Sequence, residues 1–275
     1  MSPLMWSRSV TVTATTLCLT LAGCTPDPAP VILREHGLDH FGVETVAQYP
    51  MAGDSFTQGL EYDGERLLVG TGITGESRVY TSDLDGTEIR SVDLPPEYFG
   101  EGVTDTGTVI WQLTWRDGTA IKRDRDTLEE IGRTSYPGEG WGLCSFGDTV
   151  VMSDGTDHLR LLDPDDLREL SRIPVTLSGE PMDRLNELEC VEANGRRSVL
   201  ANVWTTTTIV RVDLDDGAVT AVIDASGLRD ANPTDPDDVL NGIAQVPGTN
   251  RLLLTGKRWG TLYEVTLTES PTTDR

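Results

Sequence analysis

Five short segments of one design recur along the chain: Thr57-Gln58-Gly59-Leu60, Gly100-Glu101-Gly102-Val103, Gly140-Trp141-Gly142-Leu143, Leu185-Asn186-Glu187-Leu188 and Leu240-Asn241-Gly242-Ile243. A turn and then an apolar run follow each of them: Leu67-Leu68-Val69, Val109-Ile110-Trp111, Val150-Val151-Met152, Val199-Leu200-Ala201 and Leu252-Leu253-Leu254. Alternating stretches fill the intervals. Arg78-Val79-Tyr80-Thr81 and Glu88-Ile89-Arg90-Ser91-Val92 flank the Asp85-Gly86 turn, and Ile209-Val210-Arg211-Val212 and Val219-Thr220-Ala221-Val222-Ile223 flank Asp216-Gly217. Leu159-Arg160-Leu161-Leu162 and Glu169-Leu170-Ser171-Arg172-Ile173 form a similar pair. Period-two alternation bounded by Asp-Gly and Asp-Pro predicts hairpins of short strands, and helical periodicity is nowhere sustained.

Four strands per unit and five units predict an all-β, five-bladed β-propeller. A β-sandwich is the structural alternative, but it has no reason to repeat its turn chemistry five times. The last unit supplies only three strands, ending in Leu262-Tyr263-Glu264-Val265-Thr266-Leu267. The N-terminal run Val43–Tyr49 has no repeat of its own, so it is expected to complete the last blade and remove a bare edge.

In such a fold the first strand of each blade lines a central channel, and one repeated position aims five side chains at the axis. These are Gln58, Glu101, Trp141, Asn186 and Asn241. A second ring, at the end of the next strand, holds Gly72, Trp115, Gly155, Trp204 and Lys257. A few polar groups converging within an aromatic wall is the composition of a binding site.

A net charge of −23 argues against nucleic acid, which needs clustered Lys and Arg. It reads instead as a solvated, repulsive surface. At the N-terminus Arg8 precedes the short apolar, Thr-rich stretch Val10–Ala22, read as a signal peptide over residues 1–23. Its Leu21-Ala22-Gly23-Cys24 ending resembles the bacterial lipobox, which implies a lipid on Cys24 and an exported protein anchored to the outer face of the cell membrane. The Pro-rich start of residues 24–42 suits a tether, leaving residues 43–268 as the folded domain and 269–275 as a tail. Cys144 and Cys190 then remain, on neighbouring blades with opposite strand parity. They are read either as a disulfide in an oxidising compartment or as two separately buried small hydrophobes.

Eight motifs in order carry a resemblance that spans about Val46 to Leu267. They are Phe56-Thr57-Gln58-Gly59-Leu60, Tyr98-Phe99-Gly100-Glu101-Gly102, Gln112-Leu113-Thr114-Trp115, Glu139-Gly140-Trp141-Gly142-Leu143, Leu185-Asn186-Glu187-Leu188-Glu189, Ala201-Asn202-Val203-Trp204, Val239-Leu240-Asn241-Gly242-Ile243-Ala244 and Thr255-Gly256-Lys257-Arg258-Trp259. The chain closely resembles the plant and bacterial glutaminyl-peptide cyclotransferases. The resemblance implies conversion of N-terminal glutamine of peptides to pyroglutamate with release of ammonia, on a five-bladed propeller. It implies Glu101 as the proton-transfer residue and Phe56, Gln58, Phe99, Trp115, Trp141, Asn186, Trp204 and Lys257 as the substrate pocket. The lipobox and the two cysteines are not associated with the family.

Such a reaction is an attack of the α-amine on the γ-carboxamide carbon of the same residue, which needs no covalent enzyme intermediate. Consistently, there is no Gly-x-Ser-x-Gly elbow, and His36, His40 and His158 fall outside both rings. Lys257 or Asn186 are the candidate oxyanion donors. No His-Glu-x-x-His, Cys-x-x-Cys or EF-hand loop is present. Asp163-Pro164-Asp165-Asp166 and Asp235-Pro236-Asp237-Asp238 read as acidic turns rather than calcium sites. No cofactor is expected for catalysis, with a structural ion in the channel left open, and a monomer suffices. The competing reading is a non-catalytic exported lipoprotein that uses the same mouth to bind peptides or sugars.

Overall fold

The computed structural model describes residues 38–228, 230 and 235–269. The expected signal peptide, Cys24 and most of the tether lie outside the described residues, as do His36 and the tail beyond Glu269. The described chain is all β, without an α-helix.

Three four-stranded antiparallel sheets come first, each made of consecutive strands. One contains β2 (Thr57–Tyr62), β3 (Leu67–Thr71), β4 (Arg78–Ser82) and β5 (Glu88–Asp93). The next contains β6 (Gly100–Asp105), β7 (Ile110–Thr114), β8 (Thr119–Arg123) and β9 (Glu130–Ser135). The third contains β10 (Leu143–Ser145), β11 (Val150–Ser153), β12 (His158–Leu162) and β13 (Glu169–Pro174). A small hairpin, β14 (Thr176–Leu177) and β15 (Glu180–Pro181), leads into an eight-stranded sheet. That sheet joins β16 (Leu185–Ala193), β17 (Arg196–Val203), β18 (Thr208–Asp213) and β19 (Val219–Asp224) to β20 (Leu240–Gln245), β21 (Arg251–Gly256) and β22 (Thr261–Glu269).

The link between the two halves is β1 (Asp39–Pro50). It runs antiparallel to β22 from Phe41 to Pro50, so the N-terminal strand does complete a four-stranded set with β20–β22. Its first four residues, Asp39–Gly42, also pair in parallel with β19. The strand therefore begins inside the expected tether, because Phe41 is buried among Ile209, Ile223, Leu254 and Tyr263. At the other end β22 runs to Glu269, one residue into the expected tail. His40, read as part of the tether, is an exposed residue of β1.

The first strands of the units pack in a closed circle: β2 against β6, β6 against β10, β10 against β16, β16 against β20, and β20 back against β2. Their approach is close enough to demand glycine. A Cβ on Gly142 would lie 2.2 Å from the carbonyl oxygen of Asn186, and one on Gly59 would lie 2.5 Å from the amide nitrogen of Val103. In the fourth unit the same position is Glu187, only 1% exposed. Its two carboxyl oxygens accept the amides of Leu60 (3.2 Å) and Ile243 (2.7 Å), tying β16 to β2 and β20. Cys144 and Cys190 are joined by a disulfide with Cα atoms 5.3 Å apart, which links β10 to β16.

Two sets of β-bulges interrupt the ladders. The inner set falls where Gln58, Glu101-Gly102, Asn186-Glu187 and Asn241-Gly242 have an extra residue relative to the second strand. The outer set leaves Val46, Ile89, Ile131, Leu170 and Thr220 as the unpaired residues of β1, β5, β9, β13 and β19. A bulge re-aims a side chain out of the regular pleat. The inner set falls at the buried polar residues Gln58, Glu101, Asn186, Glu187 and Asn241, and the outer set mostly at exposed apolar ones.

At the other end of the inner strands, Glu61 and Glu189 line a cavity of about 310 Å³ with Asp105, Arg125 and the disulfide. Burial pushes Glu61 up to about 8. It also pushes Glu187 and Glu189 well above the ordinary carboxyl range, helped by repulsion from Glu189 on Glu187 and from Glu61 on Glu189. These groups hold protons more tightly folded than unfolded, so their contribution is present below about pH 4.5 and is lost as pH rises through the folded values. The melting temperature is therefore expected to fall between pH 5.5 and pH 8.5, with a shallower slope in Glu61→Gln. Thermal melts across that range check it; a melting temperature that climbs with pH would contradict it.

Candidate active site

The inner bulges deliver a polar floor. Gln58, Glu101, Asn186, Asn241 and Lys257 are all buried. Nε2 of Gln58 donates to Oε1 of Glu101 at 3.0 Å, and Nδ2 of Asn241 donates to Oε1 of Gln58 at 3.1 Å and to the carbonyl of Thr57 at 3.0 Å. Oδ1 of Asn186 is buried with no hydrogen-bond partner among the described residues. Its backbone carbonyl accepts from Oγ of Ser153, which in turn accepts the amide of Gly142 beside Trp141.

Above this floor the aromatic residues form a wall in two groups. Phe56 meets Phe99 edge-on at 6.1 Å between centroids, Phe99 meets Trp115 at 5.6 Å, and Trp141 meets Trp204 edge-on at 5.5 Å. Glu139 closes the gap, because its Oε2 accepts the indole N–H of both Trp115 (2.8 Å) and Trp141 (3.0 Å). Its Oε1 takes Nε of Arg116, whose guanidinium lies 3.7 Å over the Trp115 ring. The ammonium of Lys257 sits 4.8 Å from the Phe56 centroid. Two second-ring glycines make room for the wall: a Cβ on Gly72 would strike the ring of Phe99, and one on Gly155 the ring of Trp141. Trp204, 38% exposed, is the rim. Directly after second-ring positions, Ile73, Thr205 and Arg258 have φ of 83°, 66° and 57°, a conformation costly for β-branched side chains and typical of constrained sites.

Charge is arranged unevenly. Burial pushes Glu101 well above the ordinary carboxyl range; Lys257 pulls it back and Glu139 adds to the rise. Burial lowers Lys257, while Glu101 and Asp237 oppose that shift. Burial also opposes ionisation of Glu139, but hydrogen bonds from Trp141, Arg116 and Trp115 outweigh it and hold this carboxyl below its usual value. The site thus pairs a carboxyl whose proton affinity is raised with another whose proton affinity is lowered, the separation by which acid and base roles are assigned.

All nine predicted pocket residues are thus interlinked, Asn186 through its backbone. Glu139 and Asn241 complete the set. Asn241 stood in the inner ring but outside the expected pocket, while Glu139 stood in the motifs only as the neighbour of Gly140 and Trp141. Its position two residues before Trp141 was the available signal, since i and i+2 share a face in extended chain. Glu139→Ala is expected to lower kcat/KM about tenfold, mainly through KM, by releasing two indole N–H groups from a charged acceptor. The same change removes a negative charge near Glu101, so the limb of the pH profile set by Glu101 moves to lower pH. A full kinetic profile tests both effects, and wild-type KM would refute the bracing role.

Among the described residues no group of three or more His, Cys, Asp or Glu is arranged to hold a metal ion. Both acidic runs make turns, with Oδ1 of Asp163 accepting the amide of Asp165 and Oδ1 of Asp235 that of Asp237.

The sequence profile described as glutamine cyclotransferase matches residues 15–267. The chain belongs to the glutamine cyclotransferase family. The glutaminyl-peptide cyclotransferase of Arabidopsis thaliana is 34% identical over 234 residues, spanning 83% of this chain and 72% of that protein. The crystal structure of Myxococcus xanthus glutaminyl cyclase matches with a TM-score of 0.78 at 34% identity, covering 85% of this chain and all of that one. The walled pocket around Glu101 is therefore the candidate active site of a cyclotransferase-family chain.

Proposed function

We propose that this chain converts the N-terminal glutamine of peptides to pyroglutamate, releasing ammonia, at the mouth of a five-bladed β-propeller. Support for the propeller is the closed circle of β2, β6, β10, β16 and β20, each leading a four-stranded set, with β1 supplying the last strand. The observation that carries the chemistry is Glu101, 5% exposed, hydrogen-bonded by Gln58 and within the field of Lys257 under an aromatic wall.

The α-amine nitrogen bonds to the γ-carboxamide carbon, and the bond from that carbon to the amide nitrogen breaks. Amine and carbonyl already share one residue, so the pocket has only to fold the side chain back and hold it there. Glu101 takes a proton from the attacking nitrogen and delivers one to the departing nitrogen, which leaves as ammonia. Its raised proton affinity suits both transfers. The Lys257 ammonium stabilises the oxyanion that forms at the carbonyl. Asn186 presents an unpartnered acceptor, Oδ1, which fits a substrate N–H rather than the oxyanion. Trp115, Trp141 and Trp204 clamp the glutamine and shield it from water.

Only a free N-terminus fits this scheme, and later residues of the peptide remain outside. Lipidation at Cys24 would hold the monomeric enzyme on the outer face of the membrane, where such termini pass. The test is ammonia release from two peptides that differ only in beginning with glutamine or asparagine. Release from the glutamine peptide alone is expected. Binding of both without release would favour a peptide-binding protein instead.

A further inference from the structure

Asn241 is fully buried on the bulge of β20, and its amide donates twice from Nδ2. One acceptor is the peptide carbonyl of Thr57, which can only accept, so that contact settles which end of the Asn241 amide is nitrogen. The nitrogen then faces Oε1 of Gln58, and Gln58 must turn Nε2 toward Glu101. On its own the Gln58 amide could equally present its oxygen to that carboxyl. Direction therefore passes from a backbone carbonyl through two amides to a carboxyl oxygen. Oδ1 of Asn241 is left buried without a partner among the described residues, which is costly, but the flipped amide would set that oxygen against two acceptors.

We propose that Asn241 is a positioning residue of the reaction: by fixing the Gln58 amide it makes Oε1 of Glu101 a permanent acceptor, so that Oε2 alone carries the exchangeable proton. This rests on Glu101 as the proton carrier. A carboxyl free to protonate on either oxygen would spend part of its time with the proton buried against Gln58, where it cannot be handed on. The donor also favours the ionised form. It acts alongside the other groups facing Glu101: Lys257 after β21, Glu139 before β10 and Tyr136 after β9.

The test is a carbon-13 NMR titration of the Glu101 side-chain carboxyl in the full chain, assigned with Glu101→Gln, and compared among wild type, Asn241→Asp and Asn241→Ala. In Asn241→Asp the carboxylate attracts the N–H end of Gln58 and turns its oxygen to Glu101. The Glu101 midpoint is expected to rise by about one to two pH units, the equivalent of one hydrogen bond to a charged acceptor. Asn241→Ala should give a smaller rise, kcat should fall in both, and KM should hold. The dispersed spectrum reports folding independently of activity. In a Gln58→Ala background, Asn241→Ala should shift the midpoint no further. An unmoved midpoint in both folded variants, or equal shifts with and without Gln58, would overturn the proposal. If the midpoint shifts but Glu101→Gln keeps full activity, the positioning of the proton stands and the proton-carrier reading falls.

Discussion

Replacing Glu101 by glutamine is expected to cut kcat by about 10²–10⁴-fold while leaving KM close to wild type, the usual contribution of a positioned proton-transfer group. The amide matches the carboxyl in shape and still offers an oxygen to Nε2 of Gln58, so the floor is preserved. Only the exchangeable proton is lost. The attacking nitrogen must then discard its proton into a site walled by Phe56, Phe99 and Trp115, and the leaving nitrogen must depart unassisted. The variant should also lose the limb of the pH profile that belongs to Glu101. Activity within tenfold of wild type, measured by ammonia release at substrate saturation, would remove Glu101 from the reaction.

The second large effect concerns stability. Glu187→Ala is expected to orphan two buried backbone N–H groups, those of Leu60 and Ile243. At about 1–3 kcal/mol for each unsatisfied donor, the loss is about 2–6 kcal/mol. That is a large part of the roughly 5–15 kcal/mol that holds an ordinary domain folded. A counter-term depends on pH. The wild-type carboxyl must be held protonated, or charged and desolvated, above its unfolded value, and alanine removes that cost. The loss should therefore be largest near pH 5 and shrink toward pH 8. Denaturant titrations at both pH values measure it, and an equal loss at the two would show that Glu187 keeps an ordinary proton affinity when folded.

Much of this architecture could be read from the chain because it is repeated. The repeat alone marks positions 58, 101, 141, 186 and 241 as one ring, and the Val43–Tyr49 run falls to the last unit because it has no repeat. Short strands punctuated by Asp-Gly are local features, and local features survive in sequence. What escaped was set by contacts distant along the chain. The parallel pairing of Asp39–Gly42 with β19 depends on where Phe41 finds apolar neighbours. The span from Glu187 to Leu60 crosses 127 residues, and no pattern within one repeat encodes it. Asn241 was visible as a ring member, but the direction of its hydrogen bonds depends on the carbonyl of Thr57, 184 residues earlier. Glu139 is legible only through its neighbours, since the indole of Trp115 that it braces comes 24 residues earlier, just after β7.

The outer bulges bear on how copies of this chain tolerate one another. The exposed Ile89, Ile131 and Leu170 would ordinarily count as sticky points on β5, β9 and β13, strands with an open hydrogen-bonding edge. Each sits at the residue where its strand kinks, so an incoming strand from another copy would meet a break in register before it could zip along the edge. Backbone geometry thus adds a break in register at each of these edges to the like-charge repulsion expected of a surface with net charge −23.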